Sequence, residues 1–400
     1  MTKKKPLEGI KVLELGNLVA APYAGKILSE FGAEVIKVEE PTKGDPLRNW
    51  RVMHKDTSLW WYVQSRNKKS ITVNMRDKNG QEIIKQIAEK VDVVLENFKP
   101  GTLEKWGLGL EELRKVNPDI IMTRVSGYGQ TGPYKEKPGF GSVAEAIGGL
   151  RYLTGYPDLP PVRVGIALGD IVAGLYAVIG TLMAIYARDN SSNGKGQVVD
   201  VALYESVFSL LEGILPEYDM TGSVRERTGS TLPGIAPSNT YECADGNFLV
   251  IGGNGDKIFQ RLMTAIGRED IAMDPVFSTN QGRADHVDFI DKVIEQWTKQ
   301  HSLSEAQSKL DDVSVPVGPI YGIKEIVKDE QYLSREMLQE VSLPDGKKVL
   351  VPGIVPKLSE TPGEIDWIGP KLGEHNEEIF KEYLNINHEK LHELKKNGVI

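Results

Sequence analysis

The stretch Ile10-Lys11-Val12-Leu13-Glu14-Leu15, running through Gly16-Asn17-Leu18-Val19-Ala20-Ala21-Pro22 to Glu34-Val35-Ile36-Lys37-Val38, decides the fold class. Its two ends are short, branched and mostly apolar, as buried strands are, and residues 22–31 between them carry a helical pattern. That is a βαβ unit. Strand-like runs at 92–95 and 120–125, with a helical pattern at 80–90, extend it into a parallel sheet covered by helices. A strand at 197–201 closes this region, reached through an Asn-, Ser- and Gly-rich turn at 189–195. Residues 171–187 are seventeen uncharged, mostly apolar residues containing Gly174 and Gly180. At the short limit for a bilayer span, they read better as a helix buried on all sides in a globular core, so no membrane is implied.

After a helical pattern at 204–215, residues 221–238 are rich in Gly, Pro, Arg and Thr, without periodicity. A second unit follows, with strands near 239–243 and 248–251, helices near 257–266 and 289–299, and a β-like run at 313–317 that Pro316 confines to an edge. The reading is an α/β protein with a large domain at 1–205 and 333–400 and a smaller α+β domain at 239–320. Linkers fall at 206–238 and 321–332, and charged helices end the chain from Glu374 onward.

The 400 residues are 40% hydrophobic with net charge −8, an ordinary globular composition and a poor one for nucleic acid, which calls for a basic face. Cys243 is the only cysteine, so there is no internal disulfide or cysteine-built metal site, and a reducing cytoplasm is the natural compartment. The basic start, Met1 to Lys5, leads into charged residues and not the apolar run of a signal peptide.

Four motifs carry possible chemistry. The first βα loop lacks Gly-x-Gly-x-x-Gly, although Glu39 ends the second strand, so a dinucleotide site is not supported; Ala20 and Ala21 still leave room for a flat ligand. His388-Glu389-Lys390-Leu391-His392 matches the zinc-protease pattern formally, but only eight residues follow it and its neighbours are charged, so no metal is expected. Asp170 follows Arg163-Val164-Gly165-Ile166-Ala167-Leu168-Gly169 and leads into the long apolar helix. It reads as an N-cap, or as a carboxylate kept ionised by the helix dipole and held rigidly enough to act as a nucleophile. Gly252-Gly253-Asn254-Gly255 after a strand reads as a turn or as a mobile lid.

Eight ordered pieces then carry a resemblance: residues 7–14, Phe31-Gly32-Ala33-Glu34-Val35-Ile36-Lys37-Val38-Glu39, Gly44-Asp45-Pro46-Leu47-Arg48, Arg66-Asn67-Lys68-Lys69-Ser70, Glu96-Asn97-Phe98-Lys99-Pro100-Gly101, residues 126–133, Gly169-Asp170, and Gly196-Gln197-Val198-Val199-Asp200-Val201. In that order they resemble the class III CoA-transferase family of CaiB/BaiF type, which includes formyl-CoA transferases, carnitine CoA-transferases and α-methylacyl-CoA racemases. The resemblance implies a Rossmann-like large domain, a smaller domain and an interlocked homodimer. It places Asp170 on the family's nucleophile, which carries coenzyme A as an aspartyl thioester between two acids with no permanently bound cofactor. Gly252, Gly253, Asn254 and Gly255 match the family's lid, and Trp50 a side chain of the acyl pocket. Leu18, Val19, Ala20, Val73, Arg76, Asn97, Phe98, Lys105 and Phe140 match coenzyme A contacts, while Lys105 and Glu40 stand where oxalate-type members have arginine, and Val19 where they have glutamine.

Within the family the racemase alternative needs a histidine where this chain has Phe140, and a non-catalytic CoA-binding protein would have no use for Asp170. Residues 138–149 look like branches that use succinyl-CoA and a second dicarboxylic acid, for which Arg163 or Arg151 could meet a distal carboxylate. Acyl-CoA, a carboxylic acid and a second copy of the chain are thus the expected partners.

Overall fold

In the computed structural model, which describes residues 5–192 and 194–400, the opening unit is strand β1 (Lys11–Glu14), helix α1 (Ala20–Glu30) and strand β2 (Glu34–Glu39). Met1–Lys4 of the basic start and Asn193 of the turn at 189–195 lie outside the described residues. Strands β3 (Lys68–Thr72), β4 (Val93–Glu96), β5 (Ile121–Ser126) and β6 (Val198–Ala202) complete a six-stranded sheet in the order β3-β2-β1-β4-β5-β6, all parallel. This is the doubly wound order, in which chain direction across the sheet reverses between β1 and β4 and opens a crevice at the carboxyl ends of those strands.

Both sheet faces are buried, which is why the strands are near-continuously apolar and not alternating. Leu13, Ile36, Ile71, Val94 and Met122 face one way, onto the helix Lys78–Ala88 and the C-terminal residues Phe380, Tyr383 and Ile400. Val12, Val35, Val93 and Ile121 face the other, onto α1 and the long helix Leu168–Asp189. Strand β3 escapes a sequence reading because Lys68, Lys69 and Ser70 mask its pattern; Lys68 and Ser70 are nonetheless fully buried. The tail joins this unit through Tyr383, whose hydroxyl donates to Glu34 at 2.6 Å.

Two further helices shape the site, α2 (Gly141–Ile147) and the long helix, α3 (Leu168–Asp189). It is not buried on all sides, as its sequence suggests. Ala173, Ala177, Thr181 and Ala184 pack inward, with the Thr181 and Thr123 hydroxyls 2.7 Å apart, while Leu175, Tyr176, Ile179, Leu182, Met183 and Tyr186 stay exposed. A helix apolar all round is covered all round, and one chain covers only one face of this one. By length and composition alone, α3 is the described helix that could cross a membrane.

The chain forms two compact units, the first comprising residues up to Arg151 with Arg163–Thr221 and Glu336–Ile400, the second Tyr152–Val162 with Gly222–Arg335. The helix expected at 204–215 is two, Leu203–Phe208 and Ile214–Thr221, because Glu212 between them turns left-handed at φ 49°. In the second unit, β7 (Ser238–Glu242), β8 (Phe248–Gly252) and β9 (Val317–Pro319) form an antiparallel sheet with β8 central. The edge strand follows Pro316 and does not contain it, while Val315 packs into a core with Phe259, Leu262, Ile290, Ile294 and Leu310.

Candidate active site

Loop 16–20 leaves β1 at the crevice and is held there by side chains from three directions. Asn17 N–H donates to Asn97 Oδ1, and Asn97 Nδ2 returns a bond to the Asn17 carbonyl, both at 2.8 Å. Gln64 Nε2 donates to the Val19 carbonyl at 2.9 Å. Leu18 takes a left-handed backbone, φ 66°, which costs a side-chain-bearing residue about 1–2 kcal/mol. Its N–H meets both Asp45 carboxylate oxygens at 3.1 Å, the bond that offsets this strain.

Asp45 is itself anchored by the wholly buried Lys37, Nζ to Oδ2 2.8 Å, and Lys37 also donates to the Gly16 carbonyl and lies 3.3 Å from Glu14. Burial alone would raise the Asp45 carboxyl, but the Lys37 charge and hydrogen bonds from Lys37, Leu47 and Leu18 hold it below the usual carboxylate range. Lys68 beneath it is pushed down to about 8 by burial, against the attraction of Glu14.

Asp170 lies on the far side of this loop. Counting from the N-cap Ala167, it is the third residue of α3, so it is not the N-cap its sequence position suggests. Four residues on, and therefore on the same face, Gly174 touches the start of α1: a Cβ there would stand 2.9 Å from the Ala20 carbonyl. Gly141, first residue of α2, is closer still to Asp170, since a Cβ would fall 2.1 Å from Asp170 Oδ2. Phe140, the N-cap of α2, is 63% exposed beside it.

The helix dipole does not keep the Asp170 carboxyl at its ordinary value, although it stays mostly ionised at neutral pH. Burial and the neighbouring carboxylate of Glu145 push its carboxyl up to about 6, against the pull of Arg163. Glu145, on α2, is the residue the sequence reading missed. It is 2% exposed, accepts the Gly169 N–H at 3.3 Å and is gripped by Arg163 (Nε 3.0 Å, Nη2 3.3 Å) and by Arg151 (Nη2 3.4 Å). Nothing in its local sequence marks it; only the packing of α2 on α3 brings it beside Asp170.

A cleft of about 990 Å³ opens over the carboxyl ends of β2, β3 and β4. Of the residues named from sequence, Val73, Arg76 and Phe98 line it, and Glu40 does too, 3.7 Å from Arg76. Leu18, Val19, Ala20 and Asn97 build the loop beside it, whose Asn17 is in the lining; Lys105, Trp50 and Phe140 are not. Trp50 instead follows the short helix Pro46–Asn49, its ring 6.4 Å from that of Trp60. Lys43, Arg48, Tyr62, Trp106 and Lys371 complete the cleft's cationic and flat surfaces and were not foreseen, Lys371 because it comes from the distant tail.

In the second unit, Gly252 ends β8, and Gly253, Asn254 and Gly255 join it to the helix Asp256–Ala265. The loop is tied at three points: Gly252 N–H to Pro316 O, Gly253 N–H to Pro237 O, and Asn254 O to Arg283 Nη2. His388, Glu389 and His392 sit on the surface helix His388–Lys396, and no group of three metal-binding side chains occurs among the described residues.

A doubly wound sheet with a cationic cleft at its crevice, and a raised carboxylate at the start of a long, half-covered helix, suits handling of a phosphorylated carrier and its acyl group. Residues 7–376 match CoA-transferase family III, and the chain belongs to that family. It is an enzyme that moves coenzyme A from an acyl-CoA to a carboxylic acid, taking coenzyme A thioesters as substrates. Among its relatives, the succinyl-CoA–D-citramalate CoA-transferase of Chloroflexus aurantiacus is 49% identical over 99% of this chain and 98% of its own. The beta subunit of that organism's succinyl-CoA–L-malate CoA-transferase is 40% identical over 100% and 99%. The crystal structure of a CaiB/BaiF family protein from Brucella suis, 34% identical, superimposes with a TM-score of 0.83 over 95% of this chain and 100% of its own.

Proposed function

We propose that the enzyme uses succinyl-CoA as donor and a short dicarboxylic acid as acceptor, with Asp170 as the covalent carrier of coenzyme A. The observation that carries this reading is the Asp170 carboxylate itself: half-buried, seated against Gly141 where any side chain would displace it, and raised to about 6. At pH 7 about nine-tenths of it is ionised, yet it is poorly stabilised and so a better nucleophile than a solvated carboxylate.

An Asp170 oxygen attacks the thioester carbonyl carbon; the carbon–sulfur bond breaks, and coenzyme A leaves as thiolate from a mixed anhydride. The thiolate attacks the aspartyl carbonyl, expels the donor acid and forms an aspartyl-CoA thioester. The acceptor carboxylate attacks that carbonyl and releases the thiolate from a second anhydride. Attack of the thiolate on the acceptor's acyl carbon then restores Asp170. Each bond made replaces one of similar energy, so the cycle calls for neither ATP nor a metal.

The cleft suits the nucleotide, with Lys43, Arg76 and Lys371 toward phosphates and Phe98 and Trp106 as flat surfaces. Loop 16–20 then leads the thiol toward Asp170. The racemase reading is weaker, because the side chain at the entrance to the Asp170 site is Phe140, which cannot carry a proton. The uncovered apolar face of α3 supports a homodimer, and the buried, unpaired Cys243 fits a reducing cytoplasm.

A matrix of donors (succinyl-, acetyl- and formyl-CoA) against mono- and dicarboxylic acceptors tests the reading. Succinyl-CoA with a short hydroxylated dicarboxylic acid should give the highest kcat/KM. Preference for formyl-CoA with oxalate, or for monocarboxylic pairs, would contradict it.

A further inference from the structure

Arg163 is clamped and open at once. Its Nε and Nη2 grip the two oxygens of Glu145, a side chain 3% exposed and fixed in turn by the Gly169 N–H, so the orientation of the guanidinium is set from beneath. A guanidinium has a second donor edge, formed by Nη1 with the outer hydrogen of Nη2. In this structure Nη1 has no protein partner among the described residues, and the side chain is 42% exposed. Arg163 is also the cation whose field reaches Asp170. Counting Arg163 itself, the charged groups here are Asp170 and Glu145, both negative, and Arg151 and Arg163, both positive, so a further carboxylate entering here would meet no net repulsion. Arg151 is the weaker alternative, since its one contact to Glu145 is longer, 3.4 Å.

We propose that the open edge of Arg163, aimed by Glu145, binds the distal carboxylate of a dicarboxylic substrate while its other carboxyl end reacts at Asp170. A bidentate carboxylate–guanidinium pair fits that edge, and the cationic cleft for the nucleotide is lined by other residues, which leaves Arg163 to the acyl group. This rests on Asp170 as the reacting carboxylate. It makes Arg163 a determinant of which acids are transferred, with Glu145 as its positioning residue.

The test compares succinate with butyrate, acids of equal carbon number that differ in the distal carboxylate, as acceptors from one donor. In Arg163→Met the ratio of kcat/KM for succinate to that for butyrate should fall roughly 10- to 100-fold, mainly through KM for succinate. Arg163→Lys keeps the charge but not the fork and should show a smaller fall; it decides the matter if the methionine variant does not fold. An unchanged ratio, even with both rates reduced, would show that Arg163 only supports Glu145 and would overturn the proposal. Incubating the wild-type enzyme with succinyl-CoA and hydroxylamine separates this from the mechanism: without a modified Asp170 the covalent reading fails, whatever the ratio does.

Discussion

At the residue scale the chemistry turns on a carboxylate that the fold makes uncomfortable. Asp170 is raised from 3.8 to about 6 by burial and by Glu145, so kcat/KM should fall about tenfold per pH unit below roughly pH 6 and level off above it. A pH–rate profile flat down to pH 4 would refute this. Because the folded value lies above the unfolded one, ionised Asp170 destabilises the native state once pH exceeds the unfolded value, and the cost is complete above about 6. Asp170→Asn should therefore be inactive yet more stable at pH 7, by on the order of 1–3 kcal/mol in urea titrations, with the gain vanishing toward pH 3. Sequence located this residue because glycine and a long apolar run bracket it. It misplaced the residue by three positions, from N-cap to the end of the first turn, and gave its charge the wrong sign of perturbation. Helix starts are poorly marked when no Ser, Thr, Asp or Asn caps them, and Ala167 caps this one. The effect of Glu145 acts through space and leaves no trace in a local pattern.

At the element scale, two helix starts and one loop meet, and the contacts between them tolerate little. Gly141→Ala places a methyl group 2.1 Å from Asp170 Oδ2 and must push the carboxylate aside, so turnover should drop about 100-fold while the melting temperature barely moves. Activity within a fewfold of wild type would show that the carboxylate can work from another position. The loop was readable as a βα connection, and its missing glycine turn was visible too. What was hidden is how a non-glycine loop holds Leu18 left-handed: buried Lys37 and Asp45 supply a fixed charge pair in place of backbone freedom. A lysine inside the apolar strand Glu34–Glu39 was the available signal, since a charge there must be paired. Strand β3 was lost for the same reason, its buried Lys68 reading as surface. The exposed half of α3 was illegible for a different reason, because apolarity does not say which molecule supplies the cover.

At the scale of the whole molecule, the strands β1, β2, β4, β5 and β6 were legible, while their order in the sheet came only with the structure. The contacts that hold residues 336–400 in the first unit, such as Tyr383 to Glu34, were not legible, because they span most of the chain. Long-range return is also why Lys371 in the cleft went unforeseen. If a second copy covers α3, light scattering should give twice the mass of one chain. Ile179→Glu with Met183→Glu should shift the protein to monomer or to aggregate, as 46% and 66% exposed side chains would be charged within an interface. A wild-type monomer, or no effect of the pair, would exclude that face as the contact.

The most direct measurement is mass spectrometry of the enzyme quenched with hydroxylamine during turnover of succinyl-CoA with an acceptor acid. A hydroxamate confined to the peptide carrying Asp170, dependent on the acyl-CoA and missing in Asp170→Asn, is the predicted result. Unmodified Asp170 under turnover, or transfer by the asparagine variant at the wild-type rate, would contradict it.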